Sequence, residues 1–133
     1  MLPWLSGDKR AQPLLDTFAR GEDVYIRQAA MMFGVQEADV TKDNRQAGKV
    51  TILACGYQGA VNALQSMARA YGMHIDDETA RRWVDAWRRT NPWAPVFWRK
   101  LEDAATKAVK RPGEAFVAGR VSYCSDGNQF DEA

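Results

Sequence analysis

The sequence predicts a mainly α-helical domain that ends in a short β-hairpin. Three observations carry this. Apolar residues recur at helical offsets from near the start to about residue 110. Glycines and prolines punctuate those runs where helices would stop and start. After Pro112 and Gly113 the pattern shortens into β-prone stretches around Gly119. With 133 residues, 46% of them hydrophobic, one compact domain with a sizeable core is expected. We place it at 1–133, helical over about 8–110, with the hairpin at about 114–130.

Leu14, Leu15 and Phe18 lie on one side of a short helix that Gly21 can stop. Asp23 then caps a second helix, VYIRQAAMMFG, closed by Gly34. The turn-like VQEADVTKDN leads into a long run, RQAGKVTILACGY. Beyond Gly59, Val61, Leu64, Ala68 and Tyr71 take offsets suited to one buried face, and Gly72 ends that helix. Asp76 or Asp77 is the cap for ETARRWVDAWRR, where Ala80, Trp83, Val84 and Trp87 follow the i, i+3, i+4, i+7 template. Asn91, Pro92 and Pro95 mark the start of VFWRKLEDAATKAVK, with a stripe of Phe97, Leu101, Ala104, Ala105 and Ala108. AFVAGRVSYCSDGNQF reads as the hairpin, and the closing QFDEA offers no packed stop, as if cut rather than finished. No repeat or linker argues for a second domain.

Composition removes several classes of function. The 18 Lys and Arg nearly balance 17 Asp and Glu, so any polyanion must be met by local clustering rather than bulk charge. Cys55 and Cys124 lack metal-ligand spacing, and the lone His74 supplies neither a histidine-rich metal site nor a Ser-His-Asp triad. The start MLPWLSGDKR is too short and too soon charged for a signal peptide, and no apolar run approaches the roughly 20 residues of a membrane span. A reduced, cytoplasmic protein without a membrane partner is expected.

One constellation carries chemistry. Arg45, Lys49, Leu53 and Tyr57 are spaced by four along the long run. On a helix each would lie one turn beyond the last, with a drift of roughly 40° per step. Arg45 and Lys49 would stand about 6 Å apart along the axis, a spacing suited to alternate phosphates of a triphosphate. Leu53 and Tyr57 would then offer an apolar contact and a ring for a base to stack on. Gly48 and Gly56 lie near the same side, where missing side chains would let a ligand approach the backbone. Spacing alone equally fits a solvated Arg and Lys beside a core Leu and Tyr.

The run RQAGKVTILACGYQG resembles the nucleotide-binding helix of family A, DNA polymerase I-like, DNA polymerases: an Arg, a Lys four on, an aromatic four further and a Tyr four beyond. Neighbouring segments are similar to phage and prophage members in the same order. LPWLSGDKR looks like the stretch after the family's first catalytic motif, RGEDVYIRQAAMMFGV the next helix, and RRWVDAWRRTNPWAPVFWRKLEDAA the helical pair that follows. The resemblance implies a multi-helix fingers subdomain of a template-directed polymerase, which binds the incoming deoxynucleoside triphosphate and the nascent base pair. It makes Arg45 and Lys49 the triphosphate clamps, Tyr57 the residue that stacks at the nascent pair, and Gly59 part of the following turn. Leu53 stands where the family has a Phe or Tyr under the sugar, and Tyr25 where cellular members carry a His that reaches the phosphates. Both are departures. Gln58 intervenes where many relatives have Gly directly after the Tyr.

The resemblance also implies partners outside the sequence. The family's two metal-binding palm aspartates have no match: the first is expected in an Asp-aromatic-Ser context upstream of Met1, the second after a His beyond Ala133. His74 is followed by Ile75 and is not that motif. Asp126 and Asp131 read as solvated loop carboxylates. The isolated chain is therefore expected to be inactive and to bind no metal by itself. Mg2+ belongs to the parent polymerase, with primer-template DNA and the missing palm and thumb regions as its partners, in a bacterial or phage-infected host.

Arg81, Arg82, Arg88 and Arg89 are candidate DNA-backbone contacts. Among the tryptophans beside them, Trp83 and Trp87 have the spacing of a buried stripe, whereas Trp93 and Trp98 also suit single-strand stacking. Cys55 reads as core and His74 as a turn residue. Two rival readings stand beside the polymerase fragment: a non-enzymatic nucleic-acid-binding helical module, and an inactive prophage remnant.

Overall fold

The computed structural model describes residues 2–126. Among these, the order is α1 (Leu2–Ser6), α2 (Gln12–Ala19), α3 (Val24–Phe33), α4 (Lys42–Cys55), α5 (Val61–Ala70), α6 (Asp77–Thr90), α7 (Trp93–Lys110), β1 (Ala115–Ala118) and β2 (Val121–Cys124). Short 3-10 turns at Lys9–Ala11 and Glu37–Asp39 join α1 to α2 and α3 to α4. The mainly helical fold with a closing hairpin is as the sequence predicts. Helix begins earlier than expected, because α1 precedes residue 8. The hairpin expected over about 114–130 ends at Cys124 within the described residues; the last part of that range, and Asp131, lie outside them.

Local chemistry accounts for the helix starts. Asp23 accepts hydrogen bonds from the Tyr25 and Ile26 amides, Thr41 from that of Asn44, and Asp76, not Asp77, from that of Thr79. α7 begins without a side-chain cap, on Pro92, and tolerates Pro95 because first-turn amides have no helical acceptor to lose.

The core lies where α4, α5, α6 and α7 converge. Val50, Leu64, Ala68, Ala80, Trp83, Val84, Trp87 and Phe97 are buried there. Trp87 stacks on Trp98 at 5.9 Å between centroids and meets Trp93 edge-on at 6.5 Å, while Trp83 meets Phe33 edge-on at 5.9 Å. The tryptophans are thus packed against one another or against Phe33, and none of these four is an open stacking platform. Asn91 ties α6 to α7: its Nδ2 donates to the Trp87 carbonyl at 3.0 Å, and its Oδ1 accepts from Trp93 Nε1 at 3.3 Å. Cys55 is buried, and burial pushes its thiol up to about 12, against the opposing pull of the Arg88 charge. His74 is exposed in the connection between α5 and α6.

The hairpin pairs antiparallel, with Ala118 opposite Val121. Its two-residue turn takes Gly119 at φ +58°, a positive angle that suits glycine at the first central position. The turn presses on α1. A Cβ on Gly119 would lie 2.4 Å from the carbonyl oxygens of Leu5 and Ser6, the Arg120 amide donates to Leu5 O at 2.7 Å, and the Arg120 guanidinium sits 4.7 Å from the Trp4 ring centre. The two ends of the described chain are joined in this way.

Candidate nucleotide site

α3 and α4 pack tightly because Gly48 lacks a side chain. A Cβ there would lie 2.4 Å from Tyr25 O and 3.0 Å from Ala29 N. The space expected to admit a ligand at Gly48 is filled by α3, so this glycine serves helix-helix packing. That close approach brings the start of α3 against the polar end of α4.

Around it the charges alternate with rings. Arg45 Nε donates to Asp23 Oδ2 at 2.8 Å, and its guanidinium carbon is 5.2 Å from the Tyr25 ring centre. Lys49 Nζ is 6.0 Å from the same ring and 5.1 Å from that of Tyr71 at the end of α5. The sequence Asp23, Arg45, Tyr25, Lys49, Tyr71 is therefore one continuous row of contacts. Both cations are half-buried. Burial tends to raise the Asp23 carboxyl, but the Arg45 guanidinium and the Ile26 and Tyr25 amides outweigh it and hold the group below the usual carboxylate range. No carboxylate pairs with Lys49 among the described residues.

Tyr57 departs from the expected stripe. α4 stops at Cys55, and Tyr57 lies in the turn that follows, 82% exposed. The reason is the geometry of the helix end. Gln58 takes φ +65°, the left-handed region, and the Gly59 amide reaches back to Ala54 O at 3.1 Å, the long closing bond of a Schellman turn. A Cβ on Gly59 would lie 2.3 Å from that same oxygen, so only glycine fits. Gly59 thus seals the helix that carries the two cations.

Leu53 and Tyr57 face a different space from Arg45 and Lys49. They line a cleft of about 510 Å³, mostly apolar, walled by α2 and α3 through Leu14, Phe18, Val24 and Met31, and by Trp93. Phe18 is half exposed there, while Thr17 fills the buried position of α2. Arg27 crosses the wall, donating from Nη1 to Pro13 O at 2.8 Å and to Thr17 Oγ1. Gln28 is 3% exposed beside the cleft, and its Nε2 has no partner among the described residues.

The candidate DNA contacts separate. Arg81, Arg82 and Arg89 are exposed on α6. Arg88 is half-buried near Cys55, with a buried Nε that has no partner among the described residues.

Sequence reasoning read Asp23 only as a cap and Tyr71 only as core. The Asp23–Arg45 pair spans 22 positions, and no local pattern announces it.

No family model matches the chain. Over 112 residues, 83% of the chain, it is 38% identical to the DNA polymerase of Bacillus phage SP02. Over 125 residues, 90% of the chain, it is 25% identical to DNA polymerase I of Aquifex aeolicus. The chain spans 17% of the length of the first relative and 20% of the second. The likeness to DNA polymerases read from the sequence is thus borne out, and this chain is related to one segment of those much longer proteins.

Proposed function

We propose that the chain is the nucleotide-gripping fingers segment of a family A, phage-type DNA polymerase. The single observation that carries the reading is the Arg45 and Lys49 pair, two cations one helical turn apart on α4, flanking the Tyr25 ring, with no carboxylate on Lys49 among the described residues. Such a pair offers charge-assisted donors to successive phosphates. In this reading the triphosphate lies on Arg45 and Lys49. Leu53 and the exposed ring of Tyr57 belong to the neighbouring cleft rather than to the row of cations, so in this reading the nucleotide runs from that row to the cleft's edge, where Tyr57 stacks at the nascent base pair. Gly59 keeps the helix end that sets Tyr57 at the mouth of the cleft. Arg81, Arg82 and Arg89 supply backbone contacts to DNA.

Among the described residues, no three His, Cys, Asp or Glu side chains come together as a group, and in this reading the Mg2+ of the parent enzyme is held by residues elsewhere in it. The segment's part is to bind and orient. Catalysis belongs to palm carboxylates elsewhere in a longer polypeptide, with the thumb and primer-template DNA as further partners. No helix among the described residues is long and apolar enough to cross a membrane; the proposed place of work, on DNA in the cytoplasm of a bacterial or infected cell, follows from the polymerase reading.

A chemical-shift titration tests the reading. A deoxynucleoside triphosphate should perturb Arg45, Lys49 and Tyr57. Perturbation by DNA alone, confined to 81–100, would instead support a nucleic-acid-binding module, and silence to both ligands an inert remnant.

A further inference from the structure

Lys49 differs from Arg45 in what holds it. Arg45 is fixed by a carboxylate that also offsets its charge. The ammonium of Lys49 lies between two rings, 6.0 Å from Tyr25 and 5.1 Å from Tyr71. A ring face attracts a cation through its quadrupole without cancelling the cation's net charge. Lys49 is therefore oriented while its full attraction for an anion remains.

The position of Tyr71 is itself set by backbone geometry. It caps the C-terminus of α5, and its amide donates to Ala68 O at 3.0 Å and Met67 O at 3.3 Å. Gly72 follows at φ +75°, and the Met73 amide returns to Ala68 O at 2.9 Å. This closed turn holds the Tyr71 backbone at the edge of α4, where its ring reaches Lys49. The residue is 38% exposed, although its spacing from Val61, Leu64 and Ala68 suggested a core position. Tyr71 is thus a partly exposed aromatic whose ring meets the ammonium of Lys49.

We propose that Tyr71 is a positioning residue for Lys49, its ring holding the ammonium over the polar end of α4, ready for a phosphate. The proposal rests on the nucleotide reading for its use, but the contact can be measured without any nucleotide. A flexible four-carbon side chain loses considerable rotamer freedom when it clamps a ligand. Holding it beforehand reduces that loss on binding. The hydroxyl is not required, because the interaction uses the ring face.

The experiment uses the 133-residue chain with carbon-13 lysine, the Lys49 signal being assigned by Lys49→Arg. Lys49 Hε protons should be shifted upfield by the two rings in the unaltered chain. Tyr71→Phe should keep that shift, and Tyr71→Leu should lose much of it. Inorganic tripolyphosphate, the second probe, should bind Tyr71→Leu roughly two- to fivefold more weakly than the unaltered chain, with Tyr71→Phe near the unaltered value. Should Tyr71→Leu fail to fold, Tyr71→Met, which keeps the bulk and removes the ring, is read in the same two ways. A Lys49 signal at the free-lysine position, or a Phe variant that loses the shift, would overturn the proposal. An upfield shift that collapses in Tyr71→Leu with no change in tripolyphosphate affinity would also overturn it. If the unaltered chain binds no tripolyphosphate, the nucleotide reading fails and with it the use proposed for Tyr71, while the Lys49 shift separately reports whether the ring contact exists.

Discussion

One carboxylate, that of Asp23, serves two elements. Its Oδ1 accepts the Tyr25 and Ile26 amides that open α3, and its Oδ2 lies 2.8 Å from Arg45 Nε on α4. A triphosphate that takes Arg45 must compete with this carboxylate. Asp23→Asn keeps a capping oxygen and removes the competing charge, so it should strengthen triphosphate binding. The gain should be severalfold at most, since half-exposed pairs of this kind are worth about 0.2–1 kcal/mol. Asp23→Ala should also release Arg45 but lose about 1 kcal/mol of stability with the cap. Titration and thermal melts of the two variants separate these effects. Weaker binding by the Asn variant would contradict the competition.

Gly48→Ala should destabilise the protein. Helix propensity alone would favour alanine by about 1 kcal/mol. The new Cβ, however, would press on the Tyr25 carbonyl oxygen, 2.4 Å from its ideal position, and force α3 from α4. A net loss of about 1–3 kcal/mol is expected by denaturant unfolding. A gain would show that Gly48 is not a packing glycine.

Gln58→Gly should stabilise. Gln58 holds φ +65°, where a side chain costs about 1–2 kcal/mol and glycine sits freely. After the greater unfolded-state freedom of glycine is subtracted, a gain of about 0.5–1 kcal/mol remains. The same melts measure it, and a loss would mean the side chain makes a compensating contact.

Acid should weaken the helix starts first. A hydrogen bond from Arg10 is the main cause that brings Asp8 down to about 2. Asp76 is lowered chiefly by the Thr79 amide, and Asp23 is lowered by Arg45 and two amides despite its burial. Each folded value lies below the ordinary 3.8, so the stabilisation is complete above about pH 4 and is lost as pH falls through the folded values. The thermal midpoint should therefore fall steadily below about pH 4. Asp23→Asn should flatten that slope, and an unchanged slope would count against the assignment.

Much of the fold was legible because it rests on local rules. The stripe of Ala80, Trp83, Val84 and Trp87 is buried as its period required, and the Asp23 cap is where it was expected. The sequence was less informative wherever two distant elements meet. Gly48 looked like an opening and is a contact with α3. Tyr71 looked like core and lies over Lys49, because the closed turn at Gly72 ends α5 just at that residue. The four-residue spacing that proposed the site placed Arg45 and Lys49 on one helix correctly. It did not show that Gln58 and Gly59 would end α4 before Tyr57, since a spacing rule carries no information on where the helix stops.

The central claim is that Arg45 and Lys49 hold a triphosphate together, and equilibrium binding of a deoxynucleoside triphosphate to single and double alanine variants tests it most directly. Each single variant should lose roughly tenfold or more in affinity, as expected for charge-assisted hydrogen bonds worth about 1.5–3 kcal/mol. The double variant should not bind measurably. Affinity unchanged in all three variants would contradict the account.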